Sequence, residues 1–113
     1  MAIRALICGA ALVAASSTLA HDAPSGWRYD AECCSSRDCA QALPGAVREV
    51  LGGYAITLLP GTHPMVPRGS EPVREFVPHG DWRIRPSGDE HRHVCVLPHA
   101  QRVLCIYIPS GGV

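Results

Sequence analysis

Two histidines and a cysteine alternate in His91-Arg92-His93-Val94-Cys95. In an extended strand, residues spaced by two point to the same side, so both imidazoles and the thiol share one face. Imidazole and thiolate together suit copper or zinc. His91 and His93 are therefore the candidate metal ligands, with copper or zinc as the candidate cofactor and His63, His79 and His99 within reach from loops. The plainer alternative is a pair of histidines on a half-exposed sheet face beside Tyr107, with Cys95 consumed in a disulfide. His21 offers a separate possibility. If the chain is cut just before it, its amine and imidazole can chelate copper.

The remaining chemistry-bearing residues lie at cysteine positions. Of six cysteines, Cys8 lies in an apolar N-terminal run, leaving Cys33, Cys34, Cys39, Cys95 and Cys105. In an oxidising compartment such a set reads as a disulfide framework. The preferred pattern joins Cys95 to Cys105 across a terminal hairpin, and Cys39 to either Cys33 or Cys34. The rival ties Cys33 or Cys34 to Cys95 or Cys105, fastening the N-terminal arm onto the sheet. Either way one cysteine is left over. It is a buried thiol, the link of a disulfide-bonded dimer, a redox-active group or a metal ligand.

No catalytic residues emerge. Glycine-framed serine, cysteine–histidine and phosphate-loop signatures are missing, and His79-Gly80-Asp81 reads as turn polarity. Zinc-finger spacing and the Cys-x-x-Cys-His haem motif are missing too.

The elements that position these residues follow from length and patterning. The chain has 113 residues, one domain's worth. Residues 1–20 read as a secretory signal peptide: Arg4 gives a positive start, Ala5 to Ala15 is apolar, and small residues precede a cut after Ala20. Cys8 sits too close to the start, behind bulky Leu6 and Ile7, for a lipid anchor. The domain is then residues 21–113, with periplasmic or secreted localisation and no membrane insertion after cleavage. All ten basic residues are arginine against ten acidic ones, and loss of Arg4 leaves nine against ten. A nearly neutral chain has no electrostatic footprint for nucleic acid.

The expected fold is mainly β: a small, single-domain antiparallel sheet of hairpins with a short N-terminal helical turn, stapled by disulfides. Asp30 can cap a helical turn over Ala31-Glu32-Cys33-Cys34. Gly52-Gly53 predicts a two-residue hairpin turn between strands Ala46–Leu51 and Tyr54–Leu59. Alternation then puts Val47, Tyr54, Ile56 and Leu58 in the core. Prolines 60, 64, 67 and 72 make a long, stiffened loop. Val73 to Val77 reads as an edge strand, and Trp82 to Arg85 as a strand with Trp82 and Ile84 inward. Glu90 to Leu97 pairs with Arg102 to Ile108, with Cys95 opposite Cys105, His93 opposite Tyr107, Val94 opposite Ile106 and Val96 opposite Leu104.

Tyr29-Asp30-Ala31-Glu32-Cys33-Cys34-Ser35-Ser36-Arg37-Asp38-Cys39, Gly61-Thr62-His63-Pro64-Met65-Val66-Pro67, Pro78-His79-Gly80-Asp81 and Cys105-Ile106-Tyr107-Ile108-Pro109 stand together in this chain. With them it resembles a group of small exported proteins of Gram-negative bacteria marked by a double-cysteine motif and having no established activity. The resemblance implies a periplasmic or secreted location and carries over no catalytic residue.

The expected function is a non-enzymatic binding module, working through the proline-rich loop and exposed aromatics on an envelope protein or small ligand. The alternative is an envelope metal-binding or thiol-redox protein using His91, His93 and the odd cysteine.

Overall fold

The computed structural model describes residues 21–34, 38–97 and 101–110. The expected signal peptide lies outside the described residues, as do Ser35 to Arg37 and positions 98–100. Among the described residues the chain forms β1 (Cys39–Gln41), β2 (Val47–Val50), β3 (Gly53–Leu58), β4 (Val73–Pro78), β5 (Ile84–Pro86), β6 (His93–Val96) and β7 (Val103–Ile108). The fold is mainly β, as the patterning implies. The expected helical turn is not a helix but a tight turn, in which the amides of Cys33 and Cys34 both donate to the Asp30 carbonyl.

The strands make two sheets rather than one. The first has the order β1-β6-β7-β5 and the second β2-β3-β4. Every pairing is antiparallel except β5 with β7. The exception follows from connectivity. The chain reverses between β5 and β6 and again between β6 and β7, so β5 runs in the direction of β7 and takes its open edge.

The β2–β3 hairpin forms, but its turn is Leu51-Gly52 rather than Gly52-Gly53, because Val50 pairs with Gly53. Only Gly52 takes a positive φ there, of 87°. The pairing differs from expectation by two residues, which keeps every side chain on its face. Val47, Tyr54, Ile56 and Leu58 are buried as expected. Gly53 is needed for a different reason. A Cβ there would run into the Val77 carbonyl and lie 2.8 Å from the Pro78 Cα of β4.

The β6–β7 register holds at His93–Tyr107, Val94–Ile106 and Cys95–Cys105. A bulge then places Val96 opposite Val103 rather than Leu104. A bulge exchanges the faces of the residues beyond it. Val103 therefore joins the core between the sheets, and Leu104 packs against the cysteine side. The connection closes with Gln101 at a φ of 51°, taking the left-handed position for which no glycine is present.

Between the sheets lie Ile56, Leu58, Val66, Val77, Val94, Val96 and Ile106, all but inaccessible. Polar side chains tie the sheets together around this core. Arg83 donates to Glu75 of β4, to both carboxylate oxygens of Asp81 and to the Val103 carbonyl of β7. The hydrogen bonds from Arg83 hold the Asp81 carboxyl below its ordinary range. The proline-rich loop is pinned by His63, whose Nε2 donates to the Val94 carbonyl while Nδ1 accepts from the Met65 amide. Burial lowers the His63 pKa and favours its uncharged ring.

Gly53→Ala is expected to destabilise the fold by about 2–3 kcal/mol, as overpacking against backbone does. Gly52→Ala, whose Cβ meets only the Phe76 ring at 3.8 Å, is expected to cost about 1 kcal/mol for its positive φ. Urea midpoints of the two variants check the ordering; equal costs would contradict the placement of the turn.

Candidate functional site

Hairpin β6–β7 is buried on its second face as well, beneath an arm formed by residues 21–34. There Ala23, Tyr29, Cys33, Cys34, Cys39, Cys95, Cys105 and Tyr107 form a second cluster, with Trp27 and Leu104 against it. Two disulfides hold the arm and β1 to the hairpin: Cys33–Cys105 and Cys39–Cys95. This overturns the preferred pattern of Cys95 with Cys105 and Cys39 with a neighbour. Cys95 and Cys105 are indeed opposite one another. However, β1 lies along the other edge of β6 and sets Cys39 opposite Cys95, while the turn at Asp30 carries Cys33 over Cys105. The bridges close sequence separations of 72 and 56 residues. At that length either bridge alone would contribute roughly 4 kcal/mol in the chain-entropy account, and because the loops are nested the second adds less.

The arm is also held by its aromatic rings. Trp27 stands edge-on to Tyr29, His93 and Tyr107, with ring centroids 4.9, 5.0 and 5.1 Å away. Gly88 allows this, since a Cβ there would press on the indole at 2.5 Å.

A hydrogen-bonded chain runs beneath those rings. Asp89 accepts from the Ser25 hydroxyl (2.6 Å) and the Trp27 indole N–H (2.9 Å) on one oxygen. Its other oxygen accepts from the His91 amide, the Ser87 hydroxyl and His93 Nε2, the last at 2.8 Å. With Nε2 donating, His93 Nδ1 accepts from the Tyr29 hydroxyl at 2.8 Å. Burial opposes ionisation of Asp89, but the donors from Ser25, His93, Trp27 and the His91 amide outweigh it. They hold the carboxyl far below its ordinary 3.8. Burial, reinforced by Asp89, pushes the Tyr29 phenol well above its usual range, so it keeps its proton and donates. Tyr107, raised chiefly by burial as well, donates to the Asp30 carboxylate and accepts from the Asp30 amide.

The predicted ligands are not gathered into one donor set. His91 is exposed, while His93 is wholly buried with both ring nitrogens engaged. Cys95 is bonded to Cys39. Among the described residues, no group of three or more His, Cys, Asp and Glu side chains is placed to hold a metal. The fifth cysteine is Cys34, outside both bridges and buried, with its Sγ 3.1 Å from His21 Nδ1. An intermolecular bridge through Cys34 would require the arm to lift. The link between Asp89, His93 and the arm went unmarked in the sequence because Trp27 and Tyr29 lie 62 and 64 residues from the partners they meet.

Trp82 is the other departure. Expected inward on a strand, it is 62% exposed, because Asp81 to Arg83 form a turn before β5. It flanks a cleft of about 340 Å³ with Leu97, Arg102 and Leu104. Comparisons with protein-family models, curated proteins and solved structures find no match to this chain.

Asp89→Asn is expected to cost about 2 kcal/mol at neutral pH, because charged acceptors of several hydrogen bonds are the expensive ones to lose. A carboxyl whose pKa is depressed by folding contributes stability that is complete above its unfolded value. That contribution is lost as pH falls through the folded value. The wild-type urea midpoint should therefore drop steeply below the ordinary 3.8 of this group. Asp89→Asn should flatten that fall, and an undiminished slope in the variant would contradict the assignment.

Proposed function

We propose that this chain is an exported, disulfide-held binding module that performs no chemistry of its own and meets an envelope partner through the face around Trp82. The carrying observation is the presentation of Trp82. It is a largely exposed indole beside Leu97 and Arg102, on a turn held rigid by Arg83 in its hydrogen bonds to Asp81, Glu75 and the Val103 carbonyl. Tryptophan and arginine are the types that most often dominate binding energy, and rigid presentation lowers the ordering cost of association. Conversely, the groups fit for acid–base work, Asp89, His93 and Tyr29, are spent beneath the arm. Export fits the signal-like residues 1–20 and the two disulfides. The proline-rich loop takes a lesser part than expected, because His63 and Val66 anchor it inward.

A second reading, an envelope metal-binding or thiol-redox protein, draws on the short contact between Cys34 and His21.

Trp82→Ala is expected to leave the unfolding free energy within about 0.5 kcal/mol, as substitutions at exposed sites do. The same change should weaken saturable binding to envelope components of the native host by about tenfold or more, as loss of a central anchor does. Solid-phase binding of both forms to an envelope extract measures this; equal binding, or none that saturates, would contradict the reading.

A further inference from the structure

The Cys34 thiol and the His21 imidazole meet where the arm enters the fold. Cys34 is held in place from both sides: its neighbour Cys33 is bonded to Cys105, and its own amide donates to the Asp30 carbonyl. The His21 ring rests edge-on against Tyr29, centroids 5.2 Å apart, and remains partly open to solvent. The nitrogen that faces the sulfur, at 3.1 Å, is Nδ1. That choice matters, because Nδ1 can close a six-membered chelate with the residue's own α-amine, whereas Nε2 points away from it. Independently, the small residues ending at Ala20 mark His21 as the first residue after processing, which would make that amine a primary one.

We propose that the processed chain binds one Cu(I) ion through the Cys34 thiolate, His21 Nδ1 and the His21 α-amine. A soft thiolate selects Cu(I), and two nitrogens complete a three-coordinate site, whereas structural zinc asks for four protein ligands. At bond lengths of about 2.3 and 2.05 Å, a trigonal ion holds its sulfur and imidazole nitrogen about 3.8 Å apart. The pair, 3.1 Å apart, therefore has to open by about 0.7 Å, a movement available to His21 at the partly exposed end of the arm. Binding displaces the thiol proton and any proton on the amine to solvent, and no group changes oxidation state. The other buried histidines are not needed: His63 and His93 each have both ring nitrogens hydrogen-bonded. This site is separate from the Trp82 face and stands whether or not that face binds a partner.

The full chain, expressed with its own leader and recovered from the periplasm of a Gram-negative host, provides the test. Intact mass reads the first residue, and anaerobic titration with Cu(I) against bicinchoninate, without added thiol, reads stoichiometry and affinity. The expected result is a chain beginning at His21 that binds one Cu(I), with affinity reduced roughly 100-fold in Cys34→Ser and about tenfold in His21→Ala. Trp82→Ala should bind copper unchanged. Should Cys34→Ser fail to fold, an added alanine ahead of His21 decides the matter: it keeps both side chains, ties the amine into a peptide bond and should weaken binding by about tenfold. Unchanged affinity in the extended and His21→Ala forms, far less than one Cu(I) per chain, or a recovered chain beginning elsewhere would overturn the proposal.

Discussion

Burial of the β6–β7 hairpin on both faces is the constraint from which the rest of the structure follows. A two-stranded hairpin with Val94, Val96 and Ile106 on one side and His93, Cys95, Cys105 and Tyr107 on the other has to be covered twice. The three-stranded sheet covers the first side with apolar residues. The arm covers the second with aromatic rings, and because His93 and Tyr107 carry polar atoms, it must also bring hydrogen-bond partners. Tyr29 and Asp30 supply them from the arm, and Asp89 supplies the rest from the turn before β6. None of the buried side-chain nitrogens or oxygens described is left unsatisfied, as a stable interior requires.

The disulfides and the arm act on different parts of the folding problem. A domain this small buries too little surface to be amply stable from its core alone. Cys33–Cys105 and Cys39–Cys95 restrict the unfolded chain by joining its early and late segments. The Trp27 rings and the Asp89 chain add directional contacts in the folded state. Arg83 and His63 then fix how the two sheets sit over their shared core. The surface around Trp82 inherits its rigidity from the same Arg83 that closes the sheets.

Much of the sheet was legible in the sequence because it rests on local alternation. Tyr54, Ile56 and Leu58 declare their face by period two, and the register from His93–Tyr107 to Cys95–Cys105 follows from matching apolar pairs. Of the contacts distant in sequence, the Cys33–Cys105 bridge was legible only as the less favoured alternative, and the others not at all. The Cys39–Cys95 bond needs β1 to pair with β6, and nothing near either residue signals that pairing. The bulge that exchanges Val103 and Leu104 has no glycine to announce it. Alternation also misplaced Trp82, because Asp81 claims Arg83 and bends the chain ahead of β5. The histidine spacing of two was real, yet the arm turns His93 inward as a hydrogen-bonded core residue and leaves His91 outside. No local pattern encodes that difference.

The arm is fixed over the C-terminal hairpin both covalently and noncovalently. Proteolysis of the unreduced protein at a pH that prevents thiol exchange, followed by mass spectrometry of cross-linked peptides, reads the covalent attachment directly. Peptides joining Cys33 to Cys105 and Cys39 to Cys95 are expected, with Cys34 in neither. A peptide joining Cys95 to Cys105, or Cys39 to Cys33, would detach the arm from the sheet and contradict that expectation.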